Sequence, residues 1–325
     1  MVNVKKAVKK KSLEVLEKIN SRTKKKKYEG IEKVKTGKAS YDLTDACLVL
    51  EGGAFRGLYT SGVLDFLMEH NINCKCVVGV SAGALNGINY AAGQIGRSAL
   101  INLKYRHDGR WVGVQAFLKN GGPIGFDFVF GKIPDIPDLD EERLNTEGRR
   151  CVAVATNLET GEAEYFEYGK CDEIYKAMQA SASMPYISKP VMVDGKPYLD
   201  GGCSVRIPYK WAMEEGYKKI IVVRTRPDDY RVKPNFEKNY KVTKRIYSKY
   251  EQFAINLAHN KDWYNVECNE ILDLKNSGRI FVFSPSKPIT IGRLEGDMTK
   301  LGDLYFMGYN DAKAQFDDLL DYLKK

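Results

Sequence analysis

Histidine is scarce in this chain of 325 residues: there are three, His70, His107 and His259. None stands in the glycine-rich or strand-end setting typical of a catalytic base, so the usual imidazole partner of a nucleophile is missing from the expected places. Long apolar runs are missing too. No stretch of 18 apolar residues occurs, which argues against a membrane-spanning helix. The N-terminal lysines are followed by no apolar segment of the kind a secretory signal needs, so none is expected. Cysteine is present seven times, an odd number, with several copies inside apolar strand-like runs. That usage points to reduced, buried thiols and a cytoplasmic setting. Cys74 and Cys76 form a C-x-C pair with no second Cys/His pair nearby, a poor zinc spacing, and no metal site is expected. No internal repeat is visible.

What is present is unevenly distributed. Residues 1–38 hold fourteen Lys+Arg against four Glu, a net of +10 in a chain of net +9, so the remainder is −1. The basicity belongs to an arm and not to the body. Such an arm, with Lys5, Lys6, Lys9 to Lys11 and Lys24 to Lys27, can meet anionic lipid at ~1 kcal/mol per cation. It can also bind nucleic acid non-specifically, or be a solvated extension; no specific nucleic-acid partner is expected. Leu13, Val15, Leu16 and Ile19 have the spacing of a short amphipathic helix. With 43% apolar residues, the chain can bury one large core or two modest ones, and one main domain is expected. The division expected is a basic arm (1–40), a core domain (41–225) and a helical extension with one further strand packed on that core (226–325).

Within the body, apolar runs and helical periodicities alternate. Ala46 to Leu50 reads as a strand buried on both faces, followed by Glu51-Gly52-Gly53-Ala54-Phe55-Arg56-Gly57 and a helix over Leu58–His70. Cys74–Val80 is a second strand. Gly79-Val80-Ser81-Ala82-Gly83 comes next, then a helix from about Ala82 towards Tyr105. Two successive βα units call for a parallel sheet, hence an α/β class with helices on both faces. Trp111–Pro137, where Gly and Pro interleave with aromatics, reads as irregular, and its part 111–130 as a wall or lid over an apolar site or plain core filling. Cys151–Ala155, Tyr165–Tyr168, Val191–Val193, Lys219–Thr225 and Ile280–Phe283 read as strands, Asp172–Ala180 and Asp311–Leu323 as helices. Tyr230–Lys261 reads as a helical surface stretch to which no chemistry attaches.

Three of these features fall at strand ends, where α/β sheets place their sites. Ser81 has the layout of a nucleophile elbow: the chain turns sharply from strand to helix, and side chains at the flanking positions Gly79 and Gly83 would collide. The turn presents the hydroxyl at a helix N-terminus, where free N–H groups favour a developing oxyanion. Alone, the pattern also fits an ordinary tight turn. Asp200, before Gly201 and Gly202, ends a strand and can present a carboxylate at the sheet edge; alone, it also fits a plain turn.

Together and in this order, Glu51-Gly52-Gly53-Ala54-Phe55-Arg56-Gly57, Gly79 to Gly83 and Asp200-Gly201-Gly202 resemble the patatin-like phospholipase family of lipid acyl hydrolases. Ala180-Ser181-Ala182-Ser183-Met184-Pro185 and Ala155-Thr156-Asn157 resemble further stretches of that family. The resemblance covers about residues 45–225, and Leu294–Ala312 is similar to the tail of a bacterial subgroup. It implies a three-layer α/β/α fold with a mainly parallel central sheet. Its implied function is serine-dependent carboxylester hydrolysis, of the phospholipase A or lysophospholipase type, through an acyl-enzyme. By the resemblance Ser81 is the nucleophile and Asp200 the base of a dyad without histidine. Gly52, Gly53, Ala54, Arg56 and Gly57 form the oxyanion loop, with the N–H groups of Gly53 and Ala54 as donors. Arg56 orients that loop or meets a phosphate. Ala54 stands where the family usually has glycine, which confines φ to ordinary values and adds a methyl. No metal, nucleotide or other cofactor is implied, and the partner is a lipid ester, with peripheral contact at anionic membrane through the arm. The alternatives are a nucleotide-binding protein, although the loop has neither dinucleotide nor P-loop spacing, and a non-catalytic lipid or membrane binder on the same fold.

Overall fold

Valine, isoleucine and cysteine runs without polar interruption become central strands only if both faces are covered, and that is their arrangement in the computed structural model, which describes residues 27–325. The basic stretch 1–26, with the amphipathic segment expected in it, lies outside the described residues. From Tyr28, whose N–H donates to the Leu103 carbonyl at 3.1 Å, the chain joins the body. Val34 and Ala39 are buried in the core.

The strands in chain order are β1 (Gly37–Lys38), β2 (Thr44–Leu50), β3 (Cys74–Val80), β4 (Gln94–Ile95), β5 (Arg150–Asn157), β6 (Ala163–Glu167), β7 (Val191–Val193), β8 (Lys196–Asp200), β9 (Ile220–Val223) and β10 (Phe281–Phe283). β1 and β4 form a small separate ladder. The other eight make one sheet in the order β10-β9-β2-β3-β5-β8-β7, with β6 also on β5. Its five strands from β10 to β5 run parallel, while β6, β8 and β7 add antiparallel pairs. The β7–β8 hairpin turns through Asp194 (φ 47°) and Gly195 (φ 77°), the two positive φ values that a type I′ turn requires.

Alternation along the central strands feeds two cores. Leu48, Leu50, Val77, Ala153 and Ile221 face one side, and Cys47, Val49, Val78, Val154 and Val222 the other. The first side carries the helices α1 (Gly57–Glu69), α2 (Ala82–Ala91), α3 (Arg97–Tyr105) and α4 (Ile174–Ser181). The second carries α5 (Tyr209–Glu214) and much of α6 (Glu251–Asn276), through Tyr209, Ala212, Tyr264, Cys268 and Ile271. The chain therefore has the three-layer α/β/α architecture expected. All seven cysteines are free, and six are buried.

Four expectations need correction. The single helix from Ala82 towards Tyr105 is two, because Gly93 (φ 62°) and Gly96 (φ 79°) turn the chain through β4 between α2 and α3. Trp111–Pro137 contains short helices at Val114–Asn120 and Phe126–Val129. The closing helix is a pair, α7 (Met298–Ala314) and α8 (Phe316–Lys324). The stretch 230–261 does not stay on the surface, since Phe253, Ala254 and Ala258 of α6 are buried.

Candidate active site

β3 ends at Val80, and Ser81 leaves the sheet at φ 56° and ψ −121°. A non-glycine residue held there costs of order 1–3 kcal/mol and persists only where its surroundings over-determine it. They do so here. The Ser81 N–H donates to Ser181 Oγ at 2.9 Å. A Cβ at Gly79 would lie 2.4 Å from the Gly83 carbonyl carbon, and one at Gly83 would lie 2.5 Å from the Leu50 oxygen. Strand and helix meet at a distance that only glycine permits.

The carboxylate arrives by an exchange of strand partners. β5 pairs with β3 as far as Val80↔Val154, and from the next residue pairs with β8, as Ala155↔Asp200. Asp200 thus occupies the edge position that the chain vacates on turning out at Ser81. Across 119 positions, Ser81 Oγ donates to Asp200 Oδ2 at 2.8 Å. The second carboxylate oxygen accepts the Gly202 N–H at 2.8 Å, and Thr156 Oγ1 donates to the Asp200 carbonyl at 2.9 Å. Gly201 lies against β5 so closely that a Cβ would stand 2.2 Å from the Val154 oxygen.

Both side chains are buried, Ser81 at 8% exposure and Asp200 at 7%. Burial pushes the Asp200 carboxyl above the usual carboxylate range, against the opposing pull of the Ser81 hydroxyl, the Gly202 N–H and the charges of Arg293 and Arg206. A carboxylate shifted upward is a better proton acceptor near neutrality than an ordinary one.

Above the pair, the loop after β2 is clamped from two sides. Glu51 accepts the Thr225 N–H at 2.5 Å and the Tyr264 O–H at 2.7 Å. Asn86, on α2, donates to the Gly57 carbonyl at 2.9 Å. Ala54 is held at φ 49°, the left-handed region that glycine would enter freely, so the loop keeps a glycine-like turn despite its methyl. The N–H groups of Gly53 and Ala54 meet no acceptor among the described residues. Arg56 does not reach Ser81 or Asp200. It is 9% exposed, its Nε buried without a partner, and burial together with Arg226 holds its pKa down to about 10.

Beside Ser81 opens a cavity of about 70 Å³ walled by Leu85, Ile101, Trp111, Ile124, Val129 and Met184. Three of these come from the aromatic and glycine-rich stretch singled out as a wall or lid. The histidines lie elsewhere. His70 stacks on Phe66 at 4.0 Å, a ring nitrogen of His107 lies 2.8 Å from the Gly296 oxygen, and His259 stacks on Phe236 at 4.0 Å.

A family model described as patatin-like phospholipase matches residues 48–213, about half of the chain. The chain belongs to the patatin-like phospholipase family. A second model, described as a domain of unknown function (DUF6363), matches residues 250–324. The uncharacterized protein YjjU of Escherichia coli is 27% identical over 268 residues, covering 80% of this chain and 74% of its own length. A probable lipid hydrolase, 463L, of Invertebrate iridescent virus 6 is 28% identical over 224 residues, covering 60% of this chain and 74% of its own. Lysophospholipase NTE1 of Scheffersomyces stipitis is 23% identical over 283 residues, 83% of this chain but 18% of that protein. Among solved structures, VipD from Legionella pneumophila aligns with a TM-score of 0.44 at 12% identity, over 93% of this chain and 73% of that one.

The glycine loop, Ser81 and Asp200 all fall inside the patatin-like segment, and the side chains that sequence reasoning passed over fall largely outside it. Tyr264 holds Glu51, Asn260 donates to the Gly202 carbonyl at 2.5 Å and also binds Arg206, and the Arg293 carbonyl accepts the Phe55 N–H at 3.3 Å. Thr225 supports the loop from the end of β9, its Oγ1 donating to the Gly52 carbonyl at 3.2 Å. Nothing in the local pattern around these residues marks them, since each acts on an element distant in sequence.

Proposed function

We propose that this chain is a serine-dependent lipid acyl hydrolase, with Ser81 as nucleophile and Asp200 as its base. The observation that carries the reading is the 2.8 Å bond from Ser81 Oγ to Asp200 Oδ2, made under two backbone N–H groups with no acceptor of their own. In the proposed cycle, Ser81 Oγ bonds to the ester carbonyl carbon as its proton passes to Asp200. The carbonyl oxygen becomes an oxyanion that the Gly53 and Ala54 N–H groups receive. Collapse breaks the bond to the alcohol, which leaves with the proton from Asp200 and gives an acyl-enzyme. Water then attacks the acyl carbon, its proton passing to Asp200; collapse breaks the bond to Ser81 Oγ, which takes that proton back, and the fatty acid leaves. A donor aimed at the oxyanion is worth about 3 kcal/mol, and a carboxylate base is weaker than imidazole, so modest turnover is expected.

The apolar cavity beside Ser81 would take the acyl chain, in keeping with the family and with the lipid-hydrolase name of the viral relative. We read residues 41–225 as the catalytic core and 226–325 as an extension packed on it, in a cytoplasmic protein that touches anionic membrane through its basic arm. No helix among the described residues is long and apolar enough to cross a membrane. A fluorophosphonate probe tests the chemistry: wild type is labelled and Ser81→Ala is not, whereas an unlabelled wild type would favour a binding protein on this fold. Removing residues 1–26 should weaken binding to phosphatidylserine vesicles, and unchanged binding would end the membrane assignment.

A further inference from the structure

Near Asp200, positive charge accumulates: Arg206 and Arg293 both act on its carboxylate, and the acids Glu51 and Glu267 act on the same group of arginines without reaching ion-pair distance of it. Arg56, Arg206, Arg226 and Arg293 form this group, and none lines the cavity. Behind burial, the largest cause for both, Arg226 and Arg293 lower Arg56 and Arg293 lowers Arg206, against the opposite pull of Glu51 on both and of Glu267 on Arg206. No carboxylate among the described residues pairs with any of the four at ion-pair distance. Glu51, the nearest acid on the loop, has both oxygens committed to Thr225 and Tyr264. The Nε atoms of Arg56 and Arg226 are buried with no acceptor. Unpaired buried donors on like charges are costly, a cost that an anionic ligand would remove.

The cluster is assembled with care. Arg206 lies with its guanidinium 4.7 Å from the centre of the Tyr264 ring and donates to Asn260 Oδ1. Arg226 donates to the Ile289 carbonyl at 3.0 Å and stacks on Tyr230 at 4.4 Å. The chain bearing Arg293 is pinned by backbone contacts: the Phe55 N–H to its own carbonyl, and Arg106 to the carbonyls of Leu294 at 2.9 Å and Glu295 at 2.5 Å. The Arg293 side chain is exposed, within electrostatic reach of Asp200. Tyr264, Asn260 and Arg293 all belong to the segment matched by the model of unknown function.

We propose that this C-terminal segment completes the active site, Arg293 joining Arg56, Arg206 and Arg226 to bind a phosphate-bearing, net-anionic head group on the leaving-alcohol side of Ser81. The inference rests on the hydrolase reading. With the acyl chain in the apolar cavity, which none of the four arginines lines, the alcohol half of the ester is left to the Asp200 side, where Arg206 and Arg293 act. Planar guanidiniums suit a phosphate oxyanion. A choline or other cationic head group would bring its positive charge into the same cluster, so the site selects against it.

Two arms test this and separate a lipid head group from free phosphate. The first is activity on short-chain soluble substrates below their aggregation limit. The ratio of kcat/KM for a monoacylglycerol phosphate to that for the monoacylglycerol of the same chain is expected to exceed ten in wild type. It should fall at least tenfold in Arg293→Gln and be largely recovered in Arg293→Lys. The ratio cancels any general effect of Arg293 on Asp200. The second arm is calorimetric titration of Ser81→Ala protein with inorganic phosphate, with and without Arg293→Gln; binding is expected and should weaken at least fivefold in the double variant. A wild-type ratio near one, or a ratio that Arg293→Gln leaves unchanged, overturns the proposal, and phosphate binding without lipid preference overturns the head-group assignment. If wild type hydrolyses neither ester, the hydrolase reading fails, and the titration still decides whether the arginines bind phosphate.

Discussion

Replacing Asp200 with asparagine should lower activity and raise stability at once. The amide keeps the shape of the carboxylate, and its Oδ1 can still accept the Gly202 N–H, now 2.8 Å away. Its Nδ2, however, donates to Ser81 Oγ and cannot take a proton from it. Losing a positioned base typically costs 10² to 10⁴ in rate, about 3–5 kcal/mol of barrier. Stability moves the other way because burial raises the Asp200 pKa in the folded chain. Folding then favours the protonated form, a contribution fully present below the unfolded value of about 3.9 and lost as pH rises through the folded value. A neutral amide suffers no such loss, so the variant's advantage grows with pH above about 4. A gain of order 1 kcal/mol, the scale on which relaxed functional sites stabilise proteins, shifts Tm by about 2 °C. The assay is turnover of a soluble ester, with calorimetric melting at pH 5 and pH 8. Activity within tenfold of wild type, or a variant that melts below wild type at pH 8, would refute the reasoning.

Other outcomes follow from the same geometry. Gly79→Ala must move backbone, its Cβ facing a carbonyl carbon at 2.4 Å, so it should cost about 3 kcal/mol or more in denaturant unfolding and abolish labelling of Ser81. Ala54→Gly relaxes the φ 49° turn but frees the unfolded chain, and these opposing terms of about 1 kcal/mol should leave the melting temperature within about 2 °C of wild type. Ile124→Trp narrows the apolar cavity and should lower kcat/KM for a long-chain ester at least tenfold more than for an acetyl ester. Asp65, 2% exposed and accepting the Gly96 N–H and the Tyr305 O–H, is pushed up to about 7 by burial. Its stabilising contribution is whole below about pH 4 and disappears as pH rises to about 7, a slope of up to about 1.4 kcal/mol per pH unit. Asp65→Asn should flatten the wild-type fall in unfolding free energy between pH 5 and pH 7, and an unchanged slope would count against this assignment.

The parallel core was legible because buried parallel strands announce themselves: Ala46 to Leu50 and Cys76 to Val78 are apolar without alternation, and each precedes a glycine-bearing turn. Ser81 and Asp200 were legible for the related reason that sharp turns at strand ends demand glycine beside them. The break between α2 and α3 was not, since Gly93 and Gly96 sit in a small-residue stretch that helical periodicity tolerates. Nor were the supports of the site. Tyr264 and Asn260 lie on a 26-residue helix whose exposed apolar residues Trp263 and Val266 blur its buried stripe, and Arg293 stands in an irregular loop. Their positions beside the glycine loop come from tertiary contact alone, which no local pattern encodes.

The transfer of β5's free edge at Val154 and Ala155 makes the serine–carboxylate encounter a question of alignment between strands. Were the hairpin Val191–Asp200 to slide by a single residue, Leu199 or Gly201 would face the hydroxyl and the acid would swing to the opposite side of the sheet. Chemistry is thereby tied to the correct zipping of a short two-strand flap closed by Asp194 and Gly195. A lesion in that distant turn can silence the enzyme while leaving its five-strand parallel heart standing.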